Sequence, residues 1–270
     1  MTLLQKIIKY CALVFAIILI VGIFKFAIDA LLFVGGFLDK NQETEPLTKR
    51  NITFTFDEHK ELDIRTKVTK LTLETGEDFS VTTNNKDITV EEKTDTIVIN
   101  DNTNHLRYHN KNLELIVTLP TSKTLDFVKI ETGAGKVFIE ELNCKKAEIN
   151  LGAGGLEVND INVTDEIKMS GGVGEIIIHN GKLNNLKADL GVGKLDATLS
   201  LTGKNNIDTG VGEVNFRFLE NSSNYTFDIE KGIGEIRFNG EKISSGVTGD
   251  GKNTIEISGG IGEINIETED

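Results

Sequence analysis

From Ile130 to the end of the chain, apolar and polar residues alternate with period two. The alternation is broken at near-regular intervals by a glycine, a small or aliphatic residue and a second glycine. These triplets are Gly133-Ala134-Gly135, Gly152-Ala153-Gly154, Gly172-Val173-Gly174, Gly191-Val192-Gly193, Gly210-Val211-Gly212, Gly232-Ile233-Gly234 and Gly260-Ile261-Gly262. Their first glycines are 19, 20, 19, 19, 22 and 28 residues apart. Three apolar columns keep register with them. One runs three residues before the glycine (Ile130, Ile149, Met169, Ala188, Ile207, Ile229, Ile257), one four residues after (Val137, Leu156, Ile176, Leu195, Val214, Ile236, Ile264) and one six residues after (Ile139, Val158, Ile178, Ala197, Phe216, Phe238, Ile266). Polar residues such as Glu157, Asp196 and Asn265 stand between the last two columns. Period two marks strands with one buried face, and glycine supplies tight corners between them.

A strand, a glycine corner and a second strand in each 19–20 residues describe one coil of a single-stranded β-helix. A lone coil cannot bury its apolar face, whereas coils stacked about 4.8 Å apart align like residues into interior ladders. The expected fold is therefore all-β: a β-solenoid over 130–270. The middle residue of each triplet is expected to point inward. The two longer spacings are expected to hold loops outside the stack, around Glu220–Asn224 and from Ser244 to Lys252. The acidic end Glu267-Thr268-Glu269-Asp270 is expected at the terminal edge, where charge discourages edge-to-edge pairing. Residues 51–129 alternate too but lack the glycine column, and read as irregular coils capping the N-terminal end. Residues 39–50, with Pro46, read as a linker.

The start of the chain has a different pattern. Tyr10 to Phe24 carry no charge, and Ile7 and Ile8 extend the run. A helix from Ile7 to Phe24 would rise about 27 Å, close to the hydrocarbon thickness of a bilayer. Residues 1–38 are thus expected to be a cytoplasmic tip and one transmembrane helix. Lys6 and Lys9 precede the run without an acid, and Asp39, Lys40, Glu43 and Glu45 follow it, which places the N-terminus in the cytoplasm and residues 40–270 outside it. Ala27-Ile28-Asp29-Ala30 is not a small-x-small cleavage site, so the reading is an uncleaved, single-pass anchor in the cell membrane.

Charge and cysteine content narrow the function. With 42 acidic against 29 basic side chains, the formal charge is −13. That balance opposes nucleic acid as a partner. Cys11 lies in the apolar run, so Cys144 is a lone thiol in the exported part. The glycine triplets are not dinucleotide loops, because each leads into a strand rather than a helix. They are not calcium nonapeptides either, since the period is twice as long and no aspartate occupies the corner.

The residue after each triplet forms a charged column: Lys136, Gly155, Glu175, Lys194, Glu213, Glu235 and Glu263. Glu175, Glu213, Glu235 and Glu263 are the candidate binding strip, for a divalent cation or a cationic ligand. A solvated outer face is the plainer reading of the same column. Stacked in sequence order, Lys194 lies between two glutamates, and the last three glutamates repel one another. His105 and His109 fall on one face of an extended strand, two ligands where a metal site needs more. The remaining histidines, His59 and His179, are scattered, and no nucleophile–base constellation is recognisable. No catalytic, cofactor-binding or metal residues, and no cofactor, are expected.

The run LELIVTLPTSKTLDFVKIETGAGKVFIEEL, followed by recurrent Gly-x-Gly coils, resembles the bacterial toastrack, or adhesin-like, domain over roughly residues 50–270. The resemblance implies a β-helix attached to membrane segments and associated with cell-envelope stress systems, where such domains sense or scaffold. It brings no catalytic residues. The single apolar segment departs from multi-pass relatives. The reading is a non-enzymatic envelope scaffold or sensor, with a membrane protein or wall polymer as partner. The alternative is a surface adhesin that binds glycan or a neighbouring surface.

Overall fold

The computed structural model describes residues 50–53, 60–103, 112–121 and 123–270. The expected membrane helix, Cys11, His59, His105 and His109 lie outside the described residues. Among the described residues no helix is long and apolar enough to cross a membrane.

Alternation becomes strand throughout. The longest element, β8 (Leu125–Ile178), runs unbroken through three glycine corners, because each corner keeps extended backbone on both sides. β10 (Leu186–Thr202) stacks on it in parallel, Leu195 opposite Ile176 and Lys194 opposite Glu175. β11 (Lys204–Phe218) stacks on β10 in the same register, with Ala188 opposite Ile207 and Leu195 opposite Val214. The third side of these coils is made by Ile161–Val163 of β8, by β9 (Gly181–Asn184) and by the end of β10. All three predicted columns lie inside: Ile130, Ile149 and Ile207 are fully buried, as are Ile139 and Val158, and Phe238 alone is half-buried at the end of the stack. Each buried Ile or Val contributes about 1.5–3 kcal/mol relative to exposure.

The order of the coils is not the order of the sequence. The last strand, β15 (Asn253–Glu267), pairs in parallel with β11 on one side and with β12 (Tyr225–Phe238) on the other. The chain therefore leaves β11, passes a single 3-10 turn at Ser222–Asn224, lays down the terminal coil two rungs away, and returns to fill the gap. On the way back it forms β13 (Glu241–Ile243) and β14 (Gly246–Thr248), both antiparallel on the outer edge of β12. The expected loop between Ser244 and Lys252 thus contributes a strand to the sheet. The acidic C-terminus belongs to an interior rung, and the terminal edge is that of β12.

The other end repeats the device. β2 (Glu61–Thr66) and β3 (Lys70–Gly76) pair with β8, and β6 (Thr96–Asp101) and β7 (Glu114–Pro120) lie outside them. Antiparallel strands cover this rung: β5 (Ile88–Glu92) on β6, β4 (Ser80–Thr83) on β7, and β1 (Arg50–Thr53) on β4. Aromatic rings fill the core near the C-terminal end. Phe216, Phe218, Tyr225, Phe227 and Phe238 form a chain of contacts with centroids 4.9 to 5.5 Å apart.

Candidate functional site

The glycine corners form one edge of the stack. From Gly154 on, the second glycine of every triplet has φ between +145° and +155°, a conformation closed to L side chains. A Cβ there, or on the first glycine, would run into the carbonyl oxygen of the corresponding glycine one rung below: Gly172 onto Gly152, Gly260 onto Gly210, Gly232 onto Gly260. The glycines therefore serve both the corner and the close stacking of backbones.

The middle residues do not point into the core as expected. In β8, β10 and β11 they are half-buried, and Val173, Val192 and Val211, with Leu151 and Leu190, line a narrow groove along the corner. At the C-terminal end the column emerges. Ile261 is 51% exposed and its in-register neighbour Ile233 is 70% exposed. Leu151 and Leu190 pack beside the column in the middle coils, flanking Val173, whose own triplet follows Gly171; at the C-terminal end no such leucine stands beside it, and β15 has Gly259 and β12 has Lys231. Lys231 instead turns its ammonium onto the Gly234 carbonyl oxygen.

The charged column stands beside this edge in the spatial order Glu175, Lys194, Glu213, Glu263, Glu235. Glu263, the last in sequence, sits between the other two. Lys194 has its pKa raised, first by its hydrogen bond to Asp196 3.1 Å away and then by nearby Glu213 and Glu175. The expected crowding of three glutamates is relieved from residues outside the column. Arg237 bonds Glu235 at 2.8 Å and lies 3.5 Å from Glu263, and Lys242 on β13 reaches Glu235 at 2.6 Å. These partners, Lys242 first, hold the Glu235 carboxyl below the usual range. Glu213 accepts from Asn215 at 2.7 Å. Among the described residues no three His, Cys, Asp or Glu side chains are placed to hold a metal ion. The His179 ring meets Glu157, at 3.2 Å on the surface. Cys144 is fully buried, and burial pushes its thiol pKa up to about 12.

Two polar arrangements escape the periodic pattern. Asp101, beneath the N-terminal rung, accepts hydrogen bonds from Lys67 N–H, Thr69, Asn85 and both N–H and hydroxyl of Thr103. Burial works to raise its pKa, but the bonds from Thr103, Thr69 and Lys67 outweigh it and the net shift is downward. An asparagine ladder ties another corner. Asn185 donates to Asp165 O and accepts from Lys204 N, Asn205 accepts from Leu186 N and donates to Thr254 O, and Asn253 accepts from Gly203 N. Its sequence signal is an asparagine recurring at this corner, Asn185 just past β9, Asn205 at the start of β11 and Asn253 at the start of β15.

A family model described as Toastrack DUF4097 matches residues 46–267. No curated protein matches the chain. Among solved structures, a "putative cell adhesion protein" from Clostridium sporogenes ATCC 15579 is 19% identical, with 82% of this chain and 99% of that one covered and a TM-score of 0.37. A "putative adhesin" from Bacteroides fragilis NCTC 9343 is 15% identical over 85% of this chain and all of that one, TM-score 0.40. A "putative lipid binding protein" from Parabacteroides distasonis ATCC 8503 is 12% identical over 83% and 96%, TM-score 0.35.

Proposed function

The chain belongs to the Toastrack DUF4097 family, and from that premise we propose that it is a non-enzymatic scaffold of the cell envelope. In this reading the apolar run 7–24 anchors it in the membrane, and the coil stack outside the cytoplasm holds a membrane-protein partner against its glycine-corner edge. The observation that carries the reading is the pair Ile233 and Ile261, exposed in register at one end of an otherwise half-buried column. The antiparallel strands over both terminal rungs direct contacts to the sides of the stack rather than its ends. The acidic column beside the isoleucines already has internal partners in Arg237, Lys242 and Asn215, which favours an apolar contact over cation capture.

The test is crosslinking in intact cells, followed by purification of the full chain through a C-terminal tag. A membrane protein is expected to co-purify with wild type and to be lost from Ile233→Glu/Ile261→Glu, whose stability should change by less than about 1 kcal/mol because both sites are exposed. Recovery of no protein partner, with the purified full chain binding wall polymer or glycan, would overturn the scaffold reading in favour of a surface adhesin.

A further inference from the structure

The two flanks of the glycine-corner edge differ in how their charge is balanced. On the flank after the corner, Lys194 pairs with Asp196, Arg237 with Glu235 and Glu263, and Lys242 with Glu235. On the flank before it, the outward positions of β10, β11, β15 and β12 read Asp189, Asp208, Ser258 and Glu230. Two residues earlier, Glu256 and Asp228 stand side by side on β15 and β12. Among the described residues none of these carboxylates forms an ion pair. Asp208 accepts from the Asn206 amide at 3.1 Å, and Lys187, on the same face, is held by Glu166 at 2.8 Å. Asp189 is opposite Asp208 and Asp228 opposite Glu256, so like charges repel across neighbouring strands.

This flank is also concave. Gly259 has no side chain between Thr209 and Lys231, and the first glycines of the triplets have none either, so backbone floors an open cleft of about 600 Å³. That is within the size range of ligand sites. Asp189 and Asp208 stand on one side of it and Glu230 on the other, with Ser258 between. Lys231 also lines the cleft, but its ammonium is engaged by the Gly234 carbonyl oxygen rather than by a carboxylate. Gly260 and Gly232 border the cleft and lead directly into the exposed Ile261 and Ile233, so the apolar ridge and the acidic cleft adjoin.

We propose that the partner segment received at this edge is basic as well as aliphatic. An apolar residue covers Ile233 and Ile261, and a lysine or arginine beside it enters the cleft against Asp189, Asp208 and Glu230. This inference rests on the scaffold reading above and adds the chemistry of the partner to it. Charge decides between occupants. A neutral or acidic segment would strip water from carboxylates and leave them unpaired, which is costly. An anionic lipid surface would be repelled by the same groups. A long basic side chain fits both halves of the site, its methylenes along the isoleucines and its head among the acids.

The test places a photo-crosslinking amino acid at Val247 of the full chain in intact cells. Val247 is 68% exposed on β14, opposite Asp228 and outside the cleft. A membrane protein is expected to crosslink, through a segment in which basic and aliphatic residues adjoin, as read by mass spectrometry. Asp189→Asn/Asp208→Asn/Glu230→Gln is expected to lower the yield about tenfold. Glu157→Gln/Asp160→Asn/Asp165→Asn, which removes equal charge elsewhere on the stack, is expected to leave it within about twofold. In isolated membranes the wild-type yield is expected to fall several-fold as salt approaches about 1 M, where the Debye length is about 3 Å. That series needs no variant, so it stands even if an acid-to-amide chain folds poorly. Equal yields from wild type and the cleft variant, a yield insensitive to salt, or a crosslinked segment without basic residues would overturn the proposal and leave the scaffold reading standing. No membrane protein crosslinked to or co-purified with wild type would remove both.

Discussion

Gly174 and Gly240 both have positive φ, +154° and +81°, but they carry different loads. A Cβ on Gly174 would collide with the Gly154 carbonyl, whereas nothing lies within 4 Å of one on Gly240. Gly174→Ala is therefore expected to cost about 4 kcal/mol or more, and Gly240→Ala only about 1 kcal/mol, as read by urea denaturation of the full chain. Asp101 gives a second contrast, because four of the five hydrogen bonds it accepts are buried. Asp101→Asn should destabilise by roughly 2–4 kcal/mol at neutral pH. The folded pKa is depressed, so the carboxylate's contribution is complete above the unfolded value of about 3.9 and is lost as pH falls through the folded pKa. The wild-type urea midpoint should accordingly fall more steeply below about pH 4 than that of Asp101→Asn. This residue was invisible to pattern reading: a lone Asp at a strand end has no period, and its donors come from three separate segments.

At the scale of elements, the final coils combine a shared register with local differences in filling. Phe218 touches Phe216, Tyr225 and Phe227 at centroid distances of 4.9 to 5.5 Å and is fully buried. Phe218→Ala is expected to cost about 3–5 kcal/mol in thermal or urea unfolding, because rings on neighbouring rungs cannot collapse into the space. Arg237→Ala removes the bridge between Glu235 and Glu263, but on a solvated face. A loss under about 1 kcal/mol is expected, shrinking as salt is added. The sequence placed these glutamates in one column because their offset from the corner is constant. It could not supply the order Glu213, Glu263, Glu235, nor find Lys242, whose reach depends on β13 folding back over β12.

Across the whole molecule, each rung contacts mainly its neighbours, so protection should follow position in the stack. Hydrogen exchange is expected to be slowest in the middle of β8, β10 and β11, and fastest in β13 and β14, each of three residues on the outer edge of β12. Uniform protection across these strands would contradict a rung-by-rung architecture. The sequence alone determined the coil, its length, the strand alternation and the interior columns, since each follows from spacing within one repeat. The tertiary structure alone decided which coil lies beside which. The repeats are so alike that β11 could accept either β12 or β15 with the same glycines and aliphatic columns in register. The return path through β13 and β14 selects β15 by covering the far edge of β12 while the last strand fills the gap. The same degeneracy explains the misread triplet centres. The corner motif is constant, but whether its middle residue is covered depends on the side chains of neighbouring rungs, as Leu151 and Leu190 flank Val173, and these lie outside its own repeat.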